Sequence, residues 1–258
     1  MAEIIESTRQ LGLAHLQLAL APLLFLDDKR RHFELGQLRS SGVTLTAGMI
    51  GFPGEDYSSI TRIRLTGGYL PDETWPLRRQ ITDQAAGLAR ELGLSLISTH
   101  IGFIPQSNHV DYPKLLERVG EIAASLAASH ITLAMETGQE TASELLQFLN
   151  DLTVRNVGVN FDPANMVLYG SGDPIDAVRT LGRHIRHVHI KDAVASDNPG
   201  VDWGQQMPVG SGQVDFEEFL VAHPDVGSTG PLAIEQESPQ RKLDDLRAAV
   251  EYLQTINA

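Results

Sequence analysis

Two histidines and a lysine share one face of a short predicted strand. Residues 185–193 are Ile-Arg-His-Val-His-Ile-Lys-Asp-Ala, and alternate residues of a strand point to the same side of a sheet. His187, His189 and Lys191 therefore face one way, and the aliphatic residues between them face the other. This polar face is suited to binding a metal or a substrate. The alternative is one structural histidine in the core with two solvated residues, and the neighbouring strands distinguish the two interpretations.

Polar side chains also end four other predicted strands. The carboxyl ends of parallel strands lie at one edge of a sheet, and in α/β proteins this edge holds the active site. Three carboxylates would therefore come close to His189. The strand-end residues in question are His100, Glu136, Asp162, Asn165 and Glu235.

Carboxylates that converge in this way repel one another, and burial strengthens the repulsion. A divalent cation would relieve it. Oxygen ligands with a single histidine favour Mn²⁺, Mg²⁺ or Co²⁺, and Zn²⁺ remains an option. The predicted metal ligands are Glu136, Asp162, His189 and Glu235. The polar residues expected to support these ligands or to contact substrate are His100, Asn165, His187 and Lys191.

The composition excludes several kinds of protein and of site. The net charge of the 258-residue chain is −13 and no basic cluster is present, which argues against nucleic-acid binding. The absence of cysteine excludes disulfides and thiolate metal sites. No apolar run reaches transmembrane length, and the acidic start lacks the order of a signal peptide. We therefore expect a cytoplasmic protein that binds neither nucleic acid nor membranes.

Predicted strands alternate with predicted helices, which indicates a parallel sheet covered by helices. The strands are predicted at residues 13–19, 43–48, 94–99, 131–136, 157–161, 185–191 and 231–236. The helices are predicted at residues 2–11, 29–39, 76–92, 112–129, 142–152, 174–181, 215–222 and 241–255. Residues 49–75 are predicted to form a long loop.

Two architectures fit this alternation. A doubly wound sheet often has a glycine-rich dinucleotide loop after its first strand, but residues 21–25 are Ala-Pro-Leu-Leu-Phe. A (β/α)8 TIM barrel needs about 250 residues, and the chain is predicted to form one such domain over residues 1–258. Only seven strands are predicted, so the first regular strand of the barrel is missing or irregular. An open barrel would expose a sheet edge that a second subunit could cover in a homo-oligomer.

At these residues the chain resembles the xylose isomerase-like barrels of the sugar phosphate isomerase/epimerase superfamily. The resemblance covers nearly the whole chain. Its motifs are His100-Ile101-Gly102, the strand-end Glu136 and Asp162, His-Val-His-Ile-Lys-Asp at 187–192, Gly-Ser-Gly-Gln-Val-Asp-Phe at 210–216, and Ile234-Glu235. Family epimerases commonly have histidine three residues after the metal-binding aspartate, and this chain has Asn165 there instead.

The resemblance implies a metal-dependent isomerase or epimerase of carbohydrate metabolism, acting on a keto sugar or a related polyol. The implied metal ligands are the four residues named above, and Mn²⁺ is the expected ion. Glu136 and Glu235 would also act as acid and base. One would remove a proton next to the carbonyl to give an enediolate, and the other would return a proton.

Three further residues are candidate substrate contacts. Lys191 is suited to an electrostatic contact with a substrate oxygen or phosphate. Glu140 would hydrogen-bond the substrate, or else serve as an acidic residue near the start of the next helix. Trp203 would stack on a sugar ring, or else cap the mouth of the barrel.

Other functions remain as alternatives. A metal-dependent lyase or dehydratase acting on a keto-inositol or a 3-keto sugar would use the same proton removal and then expel a leaving group. A non-catalytic sugar-binding or accessory subunit would retain the barrel without the reaction. An apurinic-site DNA endonuclease is disfavoured by Asn165 and by the net charge of −13.

Overall fold

Nine strands are present in the computed structural model, which describes residues 1–228, 230–237 and 242–256. The strands are β1 His15–Ala19, β2 Thr44–Met49, β3 Leu96–Thr99, β4 Thr132–Glu136, β5 Val157–Phe161, β6 Ile185–Ile190, β7 Asp192–Val194, β8 Gln205–Met207 and β9 Leu232–Ile234. Seven of them form one parallel sheet in the order β1-β2-β3-β4-β5-β6-β9, and β7 pairs with β8 in a separate antiparallel hairpin.

Helices follow most strands and cover the outside of the sheet. They are α1 Ala2–Gln10, α2 Ala21–Leu24, α3 Asp28–Ser40, α4 Ile60–Thr66, α5 Trp75–Glu91, α6 Tyr112–Ala127, α7 Ala142–Asp151, α8 Pro163–Tyr169, α9 Pro174–Leu181, α10 Phe216–Asp225 and α11 Lys242–Ile256. Among the described residues, none of these helices is both long enough and apolar enough to cross a membrane.

The predicted TIM barrel with an irregular start is confirmed. All seven predicted strands of the sheet occur, with β1 at one edge and β9 at the other. The first strand is irregular, because its register against β2 shifts between Leu16 and Gln17. Although β1 is an edge strand, Gln17 reaches across to His189 on β6, so the sheet curves into a nearly closed barrel.

Four short elements were not predicted. The first is helix α2, which follows β1 at Ala21–Leu24. The segment 49–75 is not one long loop, because it contains α4. Helix α8 begins directly after β5, where Asp162 accepts a hydrogen bond from the Asn165 backbone N–H at 2.9 Å and caps the helix. The β7–β8 hairpin lies within the predicted loop after β6. The predicted start of the last helix at Arg241 lies outside the described residues.

The strands bury side chains on both faces, as expected for a parallel sheet. In β5 every residue is buried. Val157, Val159 and Phe161 of this strand belong to the hydrophobic core, while the intervening Asn160 is buried among polar side chains inside the barrel. Burying one aliphatic side chain of this size contributes about 1.5–3 kcal/mol. The apolar outer faces thus hold the barrel, and its interior is free for polar chemistry.

Candidate metal centre

The structure brings together the four side chains that were predicted as metal ligands. Glu136 ends β4, Asp162 follows β5, His189 lies in β6 and Glu235 follows β9. One ligand atom from each residue lies within 4.8 Å of the others. Glu136, Asp162 and His189 are buried, and 21% of the Glu235 side chain is exposed. The cluster therefore lies at the carboxyl ends of the strands with one carboxylate open to solvent.

Two buried atoms of the cluster have no hydrogen-bond partner among the described residues, namely His189 Nδ1 and Asp162 Oδ2. His189 Nδ1 lies 3.2 Å from Glu235 Oε2, 3.4 Å from Glu136 Oε1 and 3.6 Å from Asp162 Oδ2. An unsatisfied buried polar atom costs about 1–3 kcal/mol. A divalent cation between these atoms would satisfy both, so the residues present fit a metal ion with mainly oxygen ligands.

The charges in the cluster favour ionised carboxylates. Burial would raise the pKa of Glu136, but the nearby His100 and His189 lower it below its ordinary value. Burial would likewise raise the pKa of Glu235, and the charges of His189 and Lys191 lower it instead. Burial would lower the pKa of His189, but Glu235 and Glu136 raise it well above its ordinary value. Both glutamates are therefore anions that can accept a cation.

His187 does not reach the position expected for a substrate contact. It is fully buried, and its Nδ1 and Nε2 lie 3.0 Å from Asn160 Oδ1 and 3.1 Å from Thr46 Oγ1. Burial, with a contribution from the charge of His189, lowers the pKa of His187 to about 4. His187 is therefore a neutral residue beneath the ligand cluster, with both ring nitrogens bonded to protein.

Asn160 links this lower layer to the ligands, and its role was missed in the sequence. Its Nδ2 donates to Ser98 Oγ at 2.9 Å and lies 3.5 Å from Glu136 Oε2. The available signal was its position two residues before Asp162, which places both residues on one face of the strand.

Lys191 and Asn165 form one wall of the site. Lys191 is 1% exposed, and its Nζ donates to Glu235 Oε2 and to Asn165 Oδ1, both at 3.1 Å. Asn165 Nδ2 in turn donates to Glu136 Oε1 at 3.0 Å. Burial would lower the pKa of Lys191, but Asp162 and Glu235 raise it well above its ordinary value. A charged ammonium therefore lies beside the most accessible carboxylate of the cluster.

Of the other predicted substrate contacts, His100 lies beside the cluster and Glu140 is buried. His100 Nε2 is 3.4 Å from Glu136 Oε1, and the buried His100 Nδ1 has no hydrogen-bond partner among the described residues. Glu140 is 7% exposed, and burial, with repulsion from Glu144, raises its pKa to about 8. Glu140 is therefore a protonated acid at neutral pH. The role of each as a substrate contact remains a prediction.

Trp203 packs against residues that follow other strands of the barrel. Its Nε1 donates to the backbone carbonyl of Tyr57 at 3.1 Å, and its ring meets the ring of Tyr169 edge-on at 4.7 Å. Phe103 packs against the other side of Tyr169. These contacts join the loop between β7 and β8 to the segments that follow β2, β3 and β5. Whether Trp203 stacks on a sugar or caps the mouth of the barrel stays a prediction.

Asp192 positions the loop that follows the β7–β8 hairpin. Its fully buried carboxylate accepts four backbone N–H groups, and Gly210, Gly212 and Val214 supply three of them at 2.9, 2.8 and 3.1 Å. The fourth is that of Ala193, at 2.9 Å. A side chain at position 212 would overlap the Asp192 carboxylate, which explains the glycine. The loop is thereby fixed next to Lys191.

The raised pKa of Glu140 gives a pH-dependent stability. The carboxyl group has an ordinary pKa of 4.5 and a folded-state pKa of about 8, so between these pH values the folded protein holds a proton that the unfolded chain has lost. The free energy of unfolding therefore falls as pH rises through this window, by at most about 1.4 kcal/mol per pH unit.

Glu140→Gln is expected to remove this loss. When the pH is raised from 5 to 8, the free energy of unfolding of the parent should fall by at least about 2 kcal/mol more than that of the variant. Urea unfolding of both proteins at both pH values measures this difference. Glu117→Gln, on the exposed side of α6, is the matched control and should show no such difference. Parallel pH profiles for Glu140→Gln and the parent would contradict the assignment.

The chain matches a known family over nearly its whole length. A xylose isomerase domain protein from Planctomyces limnophilus is 34% identical to this chain, with a TM-score of 0.91 over 98% of this chain and 92% of that one. A xylose isomerase-like TIM barrel protein from Mycobacterium smegmatis, in complex with magnesium, is 20% identical with a TM-score of 0.75 over 99% and 87% of the two chains. A D-psicose 3-epimerase from Clostridium cellulolyticum H10, with D-tagatose, is 19% identical with a TM-score of 0.72 over 98% and 92%. These last two share the fold.

An uncharacterized protein of Methanocaldococcus jannaschii is 26% identical over 183 residues, which are 66% of this chain and 60% of that protein. The matched region thus spans less than two thirds of that relative. The sequence profile of the xylose isomerase-like TIM barrels matches residues 6–256. The chain therefore belongs to the xylose isomerase-like TIM barrel family.

Proposed function

We propose that this protein is a divalent-metal-dependent isomerase or epimerase of a keto sugar or a related polyol. The observation that carries the proposal is the convergence of Glu136, Asp162, His189 and Glu235, with ligand atoms within 4.8 Å of one another. Glu235 is the most accessible of these four residues, and it faces the mouth of the barrel. The likeness in fold to a D-psicose 3-epimerase supports the reaction class, and the magnesium complex of another barrel supports a hard divalent ion.

The two glutamates are the proton-transferring residues in this proposal. A bound Mn²⁺ or related ion would polarise the substrate carbonyl, which makes the neighbouring C–H more acidic. Glu136 and Glu235 are both ionised, as described above, and both lie at the cluster. One carboxylate removes the proton, and the other, after taking up a proton from solvent, delivers it to the opposite face or to the neighbouring carbon.

Neighbouring residues would hold the glutamates and the substrate in place. Lys191 Nζ lies 3.1 Å from Glu235 Oε2 and would balance negative charge that develops on a substrate oxygen. Asn165 donates to Glu136 Oε1 at 3.0 Å, where family epimerases commonly have a histidine. The aromatic cap formed by Trp203 and Tyr169 would limit the access of water to the site.

Metal dependence is tested directly on purified protein. We expect about one tightly bound divalent ion per chain by elemental analysis, loss of turnover after chelation, and recovery on adding Mn²⁺. The substrate assay uses a panel of keto sugars and keto-inositols, with and without phosphate, and mass spectrometry of the products. A protein that holds no divalent ion under any of these conditions would refute the proposal.

The same panel separates the alternatives. An isomerase or epimerase gives a product of unchanged mass, while a dehydratase gives a product lighter by one water. Binding of a sugar with no turnover in the metal-loaded protein would indicate a non-catalytic sugar-binding subunit.

A further inference from the structure

The two histidines of β6 have opposite hydrogen-bonding arrangements. His187 Nδ1 faces Asn160 Oδ1 at 3.0 Å, and its Nε2 faces Thr46 Oγ1 at 3.1 Å. Asn160 Nδ2 points toward Ser98 and Glu136. A carboxylate only accepts hydrogen bonds, so the Asn160 carbonyl must be the group that faces His187. His187 therefore carries its proton on Nδ1 and accepts from Thr46 through Nε2.

His189 requires the other tautomer in order to bind a metal. Its Nδ1 is the nitrogen that faces the ligand cluster. A neutral imidazole that offers the Nδ1 lone pair carries its proton on Nε2 and needs an acceptor there. Gln17 Oε1 lies 2.6 Å from His189 Nε2. The other close group is the Asn160 amide nitrogen at 3.1 Å, which is a donor and cannot serve.

We infer that Gln17 is a positioning residue that sets the tautomer of His189 and so makes Nδ1 available to the metal. This inference rests on the metal site of the proposed function. Gln17 Oε1 contacts the Nε2 side of the His189 ring, so its effect on the metal-facing Nδ1 is transmitted through the imidazole. Hydrogen bonds of this kind to a metal-binding histidine raise metal affinity by about 10–100-fold.

The irregular first strand explains how Gln17 reaches this position. Leu16 pairs with Leu45, but Gln17 pairs with Ala47, so Thr46 is an additional residue on β2. A bulge of this kind turns nearby side chains to a new direction. Thr46 is the extra residue of this bulge, and Gln17 lies next to it on the neighbouring strand β1. Each of the two contacts the Nε2 atom of one β6 histidine. The bulge thus serves both histidines at once.

The test compares three variants by calorimetric titration of the metal-stripped protein with Mn²⁺, after circular dichroism has shown that each is folded. Gln17→Met keeps the length of the side chain and removes the acceptor, and it should weaken Mn²⁺ binding about 10–100-fold. Gln17→Glu keeps an acceptor and should bind within about threefold of the parent. Thr46→Val removes the contact to His187 and is the matched control, also expected within about threefold.

A spectroscopic measurement checks the cause. In the Mg²⁺-loaded parent, proton and nitrogen NMR should show a slowly exchanging His189 Nε2–H that is hydrogen-bonded to Gln17. In Gln17→Met the proton should stay on Nε2, but the slow exchange should be lost. If Gln17→Met does not fold, Gln17→Leu takes its place with the same expectation. A parent protein that binds no Mn²⁺ would refute the proposed function. A parent that binds Mn²⁺ no more tightly than Gln17→Met would overturn the inference about Gln17 alone.

Discussion

Glu235→Gln is expected to lower kcat on the identified sugar by about 10³-fold or more. The substitution removes a carboxylate that can exchange a proton with the substrate, and it removes one anionic ligand of the cluster. Glu235 Oε2 lies 3.2 Å from His189 Nδ1 and 3.1 Å from Lys191 Nζ, so no other side chain would take over both roles without rearrangement. Steady-state kinetics of the metal-loaded variant, with its metal content measured in parallel, provide the test.

Glu237→Gln is the matched control for this substitution. Glu237 Oε2 also lies near Lys191 Nζ, at 3.2 Å, but 64% of its side chain is exposed and it is outside the ligand cluster. The change in charge is the same, so an effect through Lys191 alone would appear in both variants. We expect Glu237→Gln to retain kcat within about threefold. Equal losses in the two variants would contradict the assignment of Glu235.

Exchange of the substrate hydrogen with solvent distinguishes the glutamate that acts as base from the glutamate that acts as acid. In deuterated water, a variant that lacks the base cannot remove the proton and incorporates no deuterium. A variant that lacks the acid still exchanges the hydrogen, but it returns deuterium to the same face and forms little product. Glu136→Gln and Glu235→Gln should therefore differ in this assay, and that difference would identify the base.

The ligand cluster could be predicted from the sequence because its signals are local. Glu136, Asp162 and Glu235 each end an apolar run, and parallel strands bring such ends to one edge whatever the distance along the chain. The sequence analysis also named His189 as a ligand and His187 as a supporting residue, although the two share a strand face. Their roles differ because β6 is long enough for two layers, and only the upper layer reaches the cluster.

Two supporting residues, Gln17 and Asn160, could not be predicted, because their contacts depend on how the barrel curves. Gln17 meets His189 across 172 positions of the chain, and Asn160 meets Ser98 across 62. The shift between Leu16 and Gln17 turns the Gln17 side chain inward, and it leaves no mark in an alternating pattern. A glutamine or asparagine in a predicted strand is equally compatible with the solvent-facing side of the sheet.

Helix α8 was missed because its capping residue, Asp162, has a second function. Asp162 Oδ1 accepts the Asn165 backbone N–H at 2.9 Å, and Pro163 occupies the first turn of α8. This combination is a strong helix start. Asp162 was interpreted only as a metal ligand, but its two carboxylate oxygens have different roles. Oδ1 caps the helix, and Oδ2 remains for the cluster.

Asp192→Asn is expected to lower the free energy of unfolding by about 3 kcal/mol. The buried carboxylate accepts four backbone N–H groups, and hydrogen bonds to a charged acceptor are stronger than neutral ones. Asparagine replaces one acceptor oxygen by an NH₂ group that faces backbone donors. The loop around residues 208–214 should therefore loosen, which urea unfolding and limited proteolysis of this loop would measure.

Asp215→Asn is the control for Asp192, because it makes the same change on the same loop. Asp215 caps α10 by accepting the Glu218 N–H at 2.9 Å, and asparagine is an equally good cap. Its cost should stay below about 0.5 kcal/mol, and a similar value for Asp192→Asn would refute the anchoring role.

Gly212→Ala disrupts the same contact through the loop residue, since the new methyl group would overlap the Asp192 carboxylate and the Ala193 carbonyl. Because both changes disrupt one contact, the double variant should be destabilised by less than the sum of the two.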